Sequence, residues 1–225
     1  MLTVQRRAAV HAALGEVVRL AIVDRMVPGD ASPGELAEQF GLPTNLLAHH
    51  LRVLEQAGVI RRVRSEGDRR RSYVQLCVED PTVRAALTGG TSGLPTDIAR
   101  VLFVCTANSA RSQLAAAIWS EGSTVPATSA GTHPAARVHP RTVTVGQRHG
   151  LRLGRAATRH FDDVVSPTDL VVVVCDNAYE QIPASRTHLH WAVPDPARID
   201  TEDAFDDAYQ DITRRVEQLA DSLTH

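Results

Sequence analysis

The feature that most constrains this chain is one junction in its second half. Val101-Leu102-Phe103-Val104 is a continuous apolar run of strand length. It breaks into Cys105-Thr106-Ala107-Asn108-Ser109-Ala110-Arg111-Ser112, after which Gln113 to Ser120 reads as a helix. Cysteine and arginine therefore flank a short loop between a strand and a helix. A loop of this length can curl so that successive backbone N–H groups point into one concavity beside a helix N-terminus. A tetrahedral oxyanion fits that nest, with Thr106, Ala107, Asn108, Ser109, Ala110, Arg111 and Ser112 as the candidate binding set. Arg111 would clamp two of its oxygens. Cys105 would lie beneath as nucleophile, its thiol pKa lowered by the same positive field. Ser112 is placed to hydrogen-bond the thiolate, and Asn108 to hold the shape of the loop. The plainer reading, a buried cysteine at a strand end, leaves the Arg-Ser pair and the following helix unexplained.

The rest of the chain divides around Thr88-Gly89-Gly90-Thr91-Ser92-Gly93-Leu94-Pro95, a polar, uncharged stretch. Its 225 residues suit two domains, and a domain over 1–87, a linker over 88–97 and a domain over 98–225 are expected. The formal net charge of −2 hides an asymmetry, because residues 1–85 are slightly basic and the remainder is acidic. All the basic residues are Arg, with no Lys. Cys77, Cys105 and Cys175 make no disulfide framework. Arg6, Arg7, His11, Glu16 and Arg19 interrupt any apolar stretch near the start, and Leu170 to Cys175 is too short to span a bilayer. These features point to a cytoplasmic protein with reduced thiols and no membrane partner.

Within the first domain, Ala8 to Met26 carries apolar residues at helical spacing, among them Val10, Ala13, Leu14, Val17, Val18 and Ala21. Ser32-Pro33 opens a second helix that stops at Gly41. A third starts at Thr44, runs through Leu46, Leu47, Leu51 and Leu54, and stops at Gly58. Val59–Arg64 and Ser72–Val78 read as strands joined by a turn at Ser65-Glu66-Gly67-Asp68. This order is that of a winged helix-turn-helix, an α+β fold. The segments Ala13–Leu20, Gly34–Glu38 and Leu51–Ile60 resemble the ArsR (arsenical-repressor) family. The resemblance implies a homodimer that reads operator DNA. Thr44, Asn45, Ala48, His49 and Arg52 would face the major groove, and Arg64, Arg69, Arg70 and Arg71 on the wing would contact phosphates. The Cys-x-Cys pair that many members carry is replaced by Ser32-Pro33-Gly34. Cys77, alone after the second strand, is expected to be a small buried hydrophobe, and no metal site is expected.

Residues 101–113, Val-Leu-Phe-Val-Cys-Thr-Ala-Asn-Ser-Ala-Arg-Ser-Gln, resemble the low-molecular-weight protein tyrosine phosphatase superfamily, and its arsenate reductase branch more closely. Ser129-Ala130-Gly131-Thr132, Leu170 to Val174, Val193-Pro194-Asp195-Pro196 and the helix Phe205 to Leu223 extend the match over about 98–225. The resemblance implies an α/β domain with a four-stranded parallel sheet and Asp195 as general acid. Three features lean toward arsenate. Gln113 stands where the phosphatase branch usually has Pro. The substrate-lining aromatics of that branch are absent after Thr132 and Pro196. Cys175-Asp176-Asn177-Ala178 resembles the segment that carries a second, resolving cysteine. The third cysteine of the thioredoxin-recycled enzymes is replaced by Ile182, and Ala116 replaces a common Glu, which removes support for a bound cation.

The combined expectation is a bifunctional arsenic-response protein that reduces arsenate to arsenite through a Cys105 adduct and regulates transcription. Its substrate is an arsenate or phosphate oxyanion. It would hold no bound cofactor and draw on an external thiol (mycothiol, glutathione or a thioredoxin-type redoxin), which either opens a Cys105–Cys175 disulfide or attacks the arsenic adduct directly. The alternatives are a tyrosine phosphatase and a non-catalytic regulator that senses an oxyanion.

Overall fold

The computed structural model describes residues 2–87, 94, 98–153, 157–183 and 188–223. The expected linker at 88–97 lies outside the described residues except for Leu94. The chain forms two compact units, dividing after Leu94 except that Glu66–Asp68 group with the second.

The first unit runs α1 (Leu2–Leu14), α2 (Val17–Met26), α3 (Pro33–Phe40), α4 (Thr44–Gln56), β1 (Ile60–Arg64), β2 (Ser72–Leu76) and α5 (Pro81–Ala86). The single helical pattern over Ala8–Met26 is in fact two helices. Glu16 breaks it by capping α2, accepting from the backbone N–H of Val18 (2.9 Å) and Arg19 (3.0 Å). Val17 consequently turns out to solvent at 81% exposure, where the pattern put it in the core. α3 starts as the sequence indicates, with a capping box between Ser32 and Glu35, Pro33 at the first position and Gly41 left-handed at the end. In α4, Leu47, Leu51 and Leu54 are buried, but Leu46, expected in the same stripe, is exposed. β1 and β2 pair antiparallel, Arg64 opposite Ser72. One apolar cluster joins Val10, Ile22, Leu36, Leu51, Val59 and Val74.

The second unit runs β3 (Arg100–Cys105), α6 (Arg111–Gly122), β4 (Ala127–Gly131), α7 (Pro140–Arg148), α8 (Phe161–Val164), β5 (Asp169–Val173), α9 (Asp176–Tyr179), β6 (His188–His190), α10 (Pro196–Ile199) and α11 (Glu202–Leu223). Its four strands are all parallel, in the order β4-β3-β5-β6. Val101 to Val104 are fully buried, as a central parallel strand covered on both faces requires. Phe103 sits between Trp119 and Trp191, with ring centroids 6.1 and 5.8 Å away. Because chain order reverses between β3 and β5, their carboxyl ends open the crevice where ligands of such sheets bind. Cys105 ends β3, and Cys175 follows β5 by two residues as the residue that precedes α9.

Candidate functional site

Cys105 is the last residue of β3 and Arg111 the first of α6. Between them the backbone is locked from outside. The carbonyls of Cys105, Thr106, Ala107 and Ser109 accept from the N–H groups of Thr132 (3.1 Å), His133 (2.8 Å), Ala135 (2.9 Å) and His139 (2.9 Å). Ala110 O accepts from Leu114 N (2.9 Å), and Asn108 O accepts from Gln113 Nε2 (3.1 Å). A planar trans peptide points its C=O and N–H in opposite directions. With each of these carbonyls held outward, the N–H groups of Thr106 to Arg111 turn toward the concave side. Among the described residues, those of Thr106 to Ala110 have no protein acceptor. Unsatisfied converging donors are what an anion recruits.

Gly131 makes the close approach feasible. A Cβ there would stand 2.5 Å from Thr106 O and 2.9 Å from Asn108 N. Asn108, fully buried with φ of 49°, takes the left-handed corner that asparagine tolerates better than most residues. Its side chain is oriented without ambiguity. Arg159 N–H donates to Asn108 Oδ1 at 2.9 Å, so Nδ2 faces the other way and donates to Ser112 Oγ (2.9 Å) and Ser129 Oγ (2.9 Å). Ser112 Oγ also lies 3.0 Å from Cys105 Sγ, a contact in which it donates once the sulfur is a thiolate.

Arg111 is buried, with Nη1 donating to Val193 O at 2.9 Å and Nη2 paired with Asp195 Oδ2 at 2.9 Å. Burial opposes its charge, but the neighbouring Cys175, Asp195 and Cys105 groups outweigh that and raise its pKa. The other Asp195 oxygen caps α10, accepting from Ala197 N at 3.1 Å. Cys175 is fully buried, its Sγ 3.5 Å from Thr106 Oγ1. Burial pushes its thiol above the ordinary range, and Arg111 pulls the other way. Behind it, the buried Asp176 accepts a 3.0 Å contact from His190 Nε2. Of the residues singled out for chemistry, Asp195 pairs with the Arg111 guanidinium, and Cys105 and Cys175 both act on its charge.

Four contributors were not singled out for this role by sequence reasoning: Ser129, the Val193 carbonyl, the backbone of 132–139, and Gln113, noticed only as a departure from Pro. Ser129 stood in a quoted motif, but main-chain partners leave no residue-type signal. Among the described residues no group of three or more His, Cys, Asp or Glu could hold a metal ion. No described helix is long and apolar enough to cross a membrane.

In the first unit Thr44, Asn45, His49 and Arg52 are exposed along α4 and Ala48 is partly so. Arg64, Arg69, Arg70 and Arg71 are exposed on the hairpin. Cys77 is half-buried, not buried as expected, because β2 ends at Leu76 and leaves it at the edge of the core.

The family model of low molecular weight phosphotyrosine protein phosphatases matches residues 100–225, and a helix-turn-helix domain model matches 14–63. An arsenate reductase of Brevibacillus brevis is 30% identical over 129 residues, covering 54% of this chain and 94% of the relative. Another, from Bacillus subtilis, is 32% identical over 105 residues, covering 44% and 74%. Among solved structures, a tyrosine phosphatase from Escherichia coli K30 in complex with sulphate shares the fold at 23% identity. Its TM-score is 0.52, with 56% of this chain and 99% of that one covered. With the loop, the parallel sheet and more than half of its length accounted for, the chain belongs to the low molecular weight phosphotyrosine protein phosphatase family and carries a helix-turn-helix domain ahead of it.

Proposed function

We propose that residues 98–225 reduce arsenate to arsenite with an external thiol, and that residues 1–87, joined through 88–97, bind operator DNA as a homodimer. The observation that carries the enzymatic reading is Cys175, a second sulfur buried 3.5 Å from Thr106 Oγ1 in the loop that follows Cys105. Hydrolysis of a phosphocysteine needs only water, whereas reduction needs another thiol. The arsenate reductases at about 30% identity support the same choice.

In the proposed sequence the Cys105 thiolate attacks arsenic, and an arsenate oxygen leaves as water, its proton supplied by Asp195. Cys175 sulfur then attacks Cys105 sulfur. The S–S bond forms, and the S–As bond breaks with its electron pair passing to arsenic, which becomes As(III) and leaves as arsenite. The Cys175 proton passes to solvent or to the departing oxyanion. A thiol system reopens the disulfide; mycothiol, glutathione and a thioredoxin-type redoxin are the candidates. A reducing cytoplasm suits both these thiols and a DNA reader. Exposed Thr44, Asn45, Ala48, His49 and Arg52, with the wing arginines, are the proposed DNA contacts.

The test is arsenite release from arsenate by the purified protein with each thiol system in turn. Cys105→Ser should abolish release. Cys175→Ser should stop turnover while a Cys105-dependent attack on an aryl phosphate persists. Aryl phosphate turnover without any arsenite would replace this reading with a phosphatase. Silence in both assays, with oxyanion binding retained, would leave a sensing regulator.

A further inference from the structure

Five of the six carbonyls locked outward between Cys105 and Ala110 are held by backbone N–H groups, and one, that of Asn108, is held by a side chain. That side chain is Gln113, itself buried, in the first turn of α6. Its second contact is Ala157 O at 3.4 Å. Asn108 is also the residue of the loop with positive φ, so this hydrogen bond sits at the loop's left-handed corner. The peptide after it contains Asn108 C=O and Ser109 N–H. If it turned over, a carbonyl oxygen would face the nest and a donor would leave it.

We infer that Gln113 is a positioning residue for oxyanion binding: its amide latches the Asn108–Ser109 peptide so that Ser109 N–H stays in the nest. This deepens the proposed function and rests on its reading of the loop as an oxyanion site. Arg159 N and Ser129 Oγ hold the Asn108 side chain. They do not hold its carbonyl, so among the described residues no other hydrogen bond duplicates the latch. A proline at this position, as in the phosphatase branch, offers no side-chain donor, so loops built that way need another device at this corner.

The experiment compares Gln113→Met, which keeps the volume and removes the donor, with Gln113→Ala, which removes both. Affinity for inorganic phosphate, sulfate and arsenate is measured by titration calorimetry on the full-length reduced protein. The Ser109 amide resonance is followed in a nitrogen-15 spectrum, and thermal melting serves as the fold control. Both variants should bind each anion roughly 10- to 100-fold more weakly, the range for losing one hydrogen bond to a charged group. The Ser109 amide should lose most of its anion-induced shift in both. Gln113→Met binding like wild type, with only Gln113→Ala impaired, would reduce Gln113 to packing and overturn the latch. Wild-type protein that binds none of the three anions would instead remove the oxyanion reading itself, and the latch with it.

Discussion

Replacing Gly131 by alanine tests whether the nest depends on the close approach of β4 to the loop. The new methyl carbon would meet Thr106 O at 2.5 Å and Asn108 N at 2.9 Å, both main-chain atoms, while real Cβ atoms essentially never come within 3.0 Å. Half an ångström or more must be found by moving backbone, because neither neighbour is the free end of a side chain. The loop cannot simply lift. Thr132 N and His133 N hold Cys105 O and Thr106 O at 3.1 and 2.8 Å, so displacement strains the bonds that turn the donors inward. Overpacking of this kind costs about 1–3 kcal/mol, or roughly 2–4 °C of melting temperature per kcal/mol. The functional loss should be larger, since site geometry tolerates about 0.5 Å and a misplacement of about 1 Å costs on the order of 100-fold. Phosphate affinity by calorimetry and arsenate turnover, measured on protein shown to be folded by its melt, should both fall by one to two orders of magnitude, roughly. A folded Gly131→Ala protein with anion affinity within about threefold of wild type, less than ~0.7 kcal/mol, would refute the argument that this glycine sets the loop.

Folding raises the Cys175 pKa through burial, so its contribution to stability is intact below the unfolded thiol value of about 8.5 and declines as pH rises through the folded one. Urea unfolding of reduced protein between pH 7 and 10 should lose stability with a slope of up to about 1.4 kcal/mol per pH unit from this group. Cys175→Ala should be flatter, with a residual slope from Cys77, which burial also raises; superimposable slopes would contradict the assignment. On the DNA side, Arg64→Ala and Arg69→Ala should each weaken binding to a duplex selected from a random pool and lower the log–log salt slope by about 1. Asn45→Ala should relax discrimination at one base position by about 1–3 kcal/mol. An unchanged salt slope in fluorescence anisotropy would take the wing off the DNA.

Much of this architecture was legible because particular residue types have few structural uses. Ser32-Pro33 with Glu35 admits little besides a helix start, and the run Val101–Val104 before Cys105 admits little besides a buried strand. The elements that escaped notice have weak or contrary local signals. Glu16 is outside the usual capping set, so the break between α1 and α2 was read as one helix. α7 carries Thr142, Val143, Thr144 and Val145, β-branched residues that favour strands, yet it is helical. Burial of Thr142, Val145 and Gly146 and the His139 cap override that preference. β6 is only His188–His190, too short and too polar to stand out; its pairing with β5 is a tertiary event.

The candidate site shows the same division more sharply. An oxyanion nest is a device of the main chain, and what identifies it in a sequence is the few positions where a side chain is indispensable. Cys105 and Arg111 are the positions the proposed chemistry requires, Asn108 takes the corner with positive φ, and Gly131 gives clearance. The segment 132–139 does as much to aim the donors as any of these, but it acts through backbone N–H groups that almost any sequence supplies. Gln113 falls between the two classes. It performs a task that backbone performs for the neighbouring carbonyls, so its residue type became informative only once its partner, Asn108 O, was known. Within this family a difference at that position therefore bears on how the loop is held, and only through that on which anion it accepts.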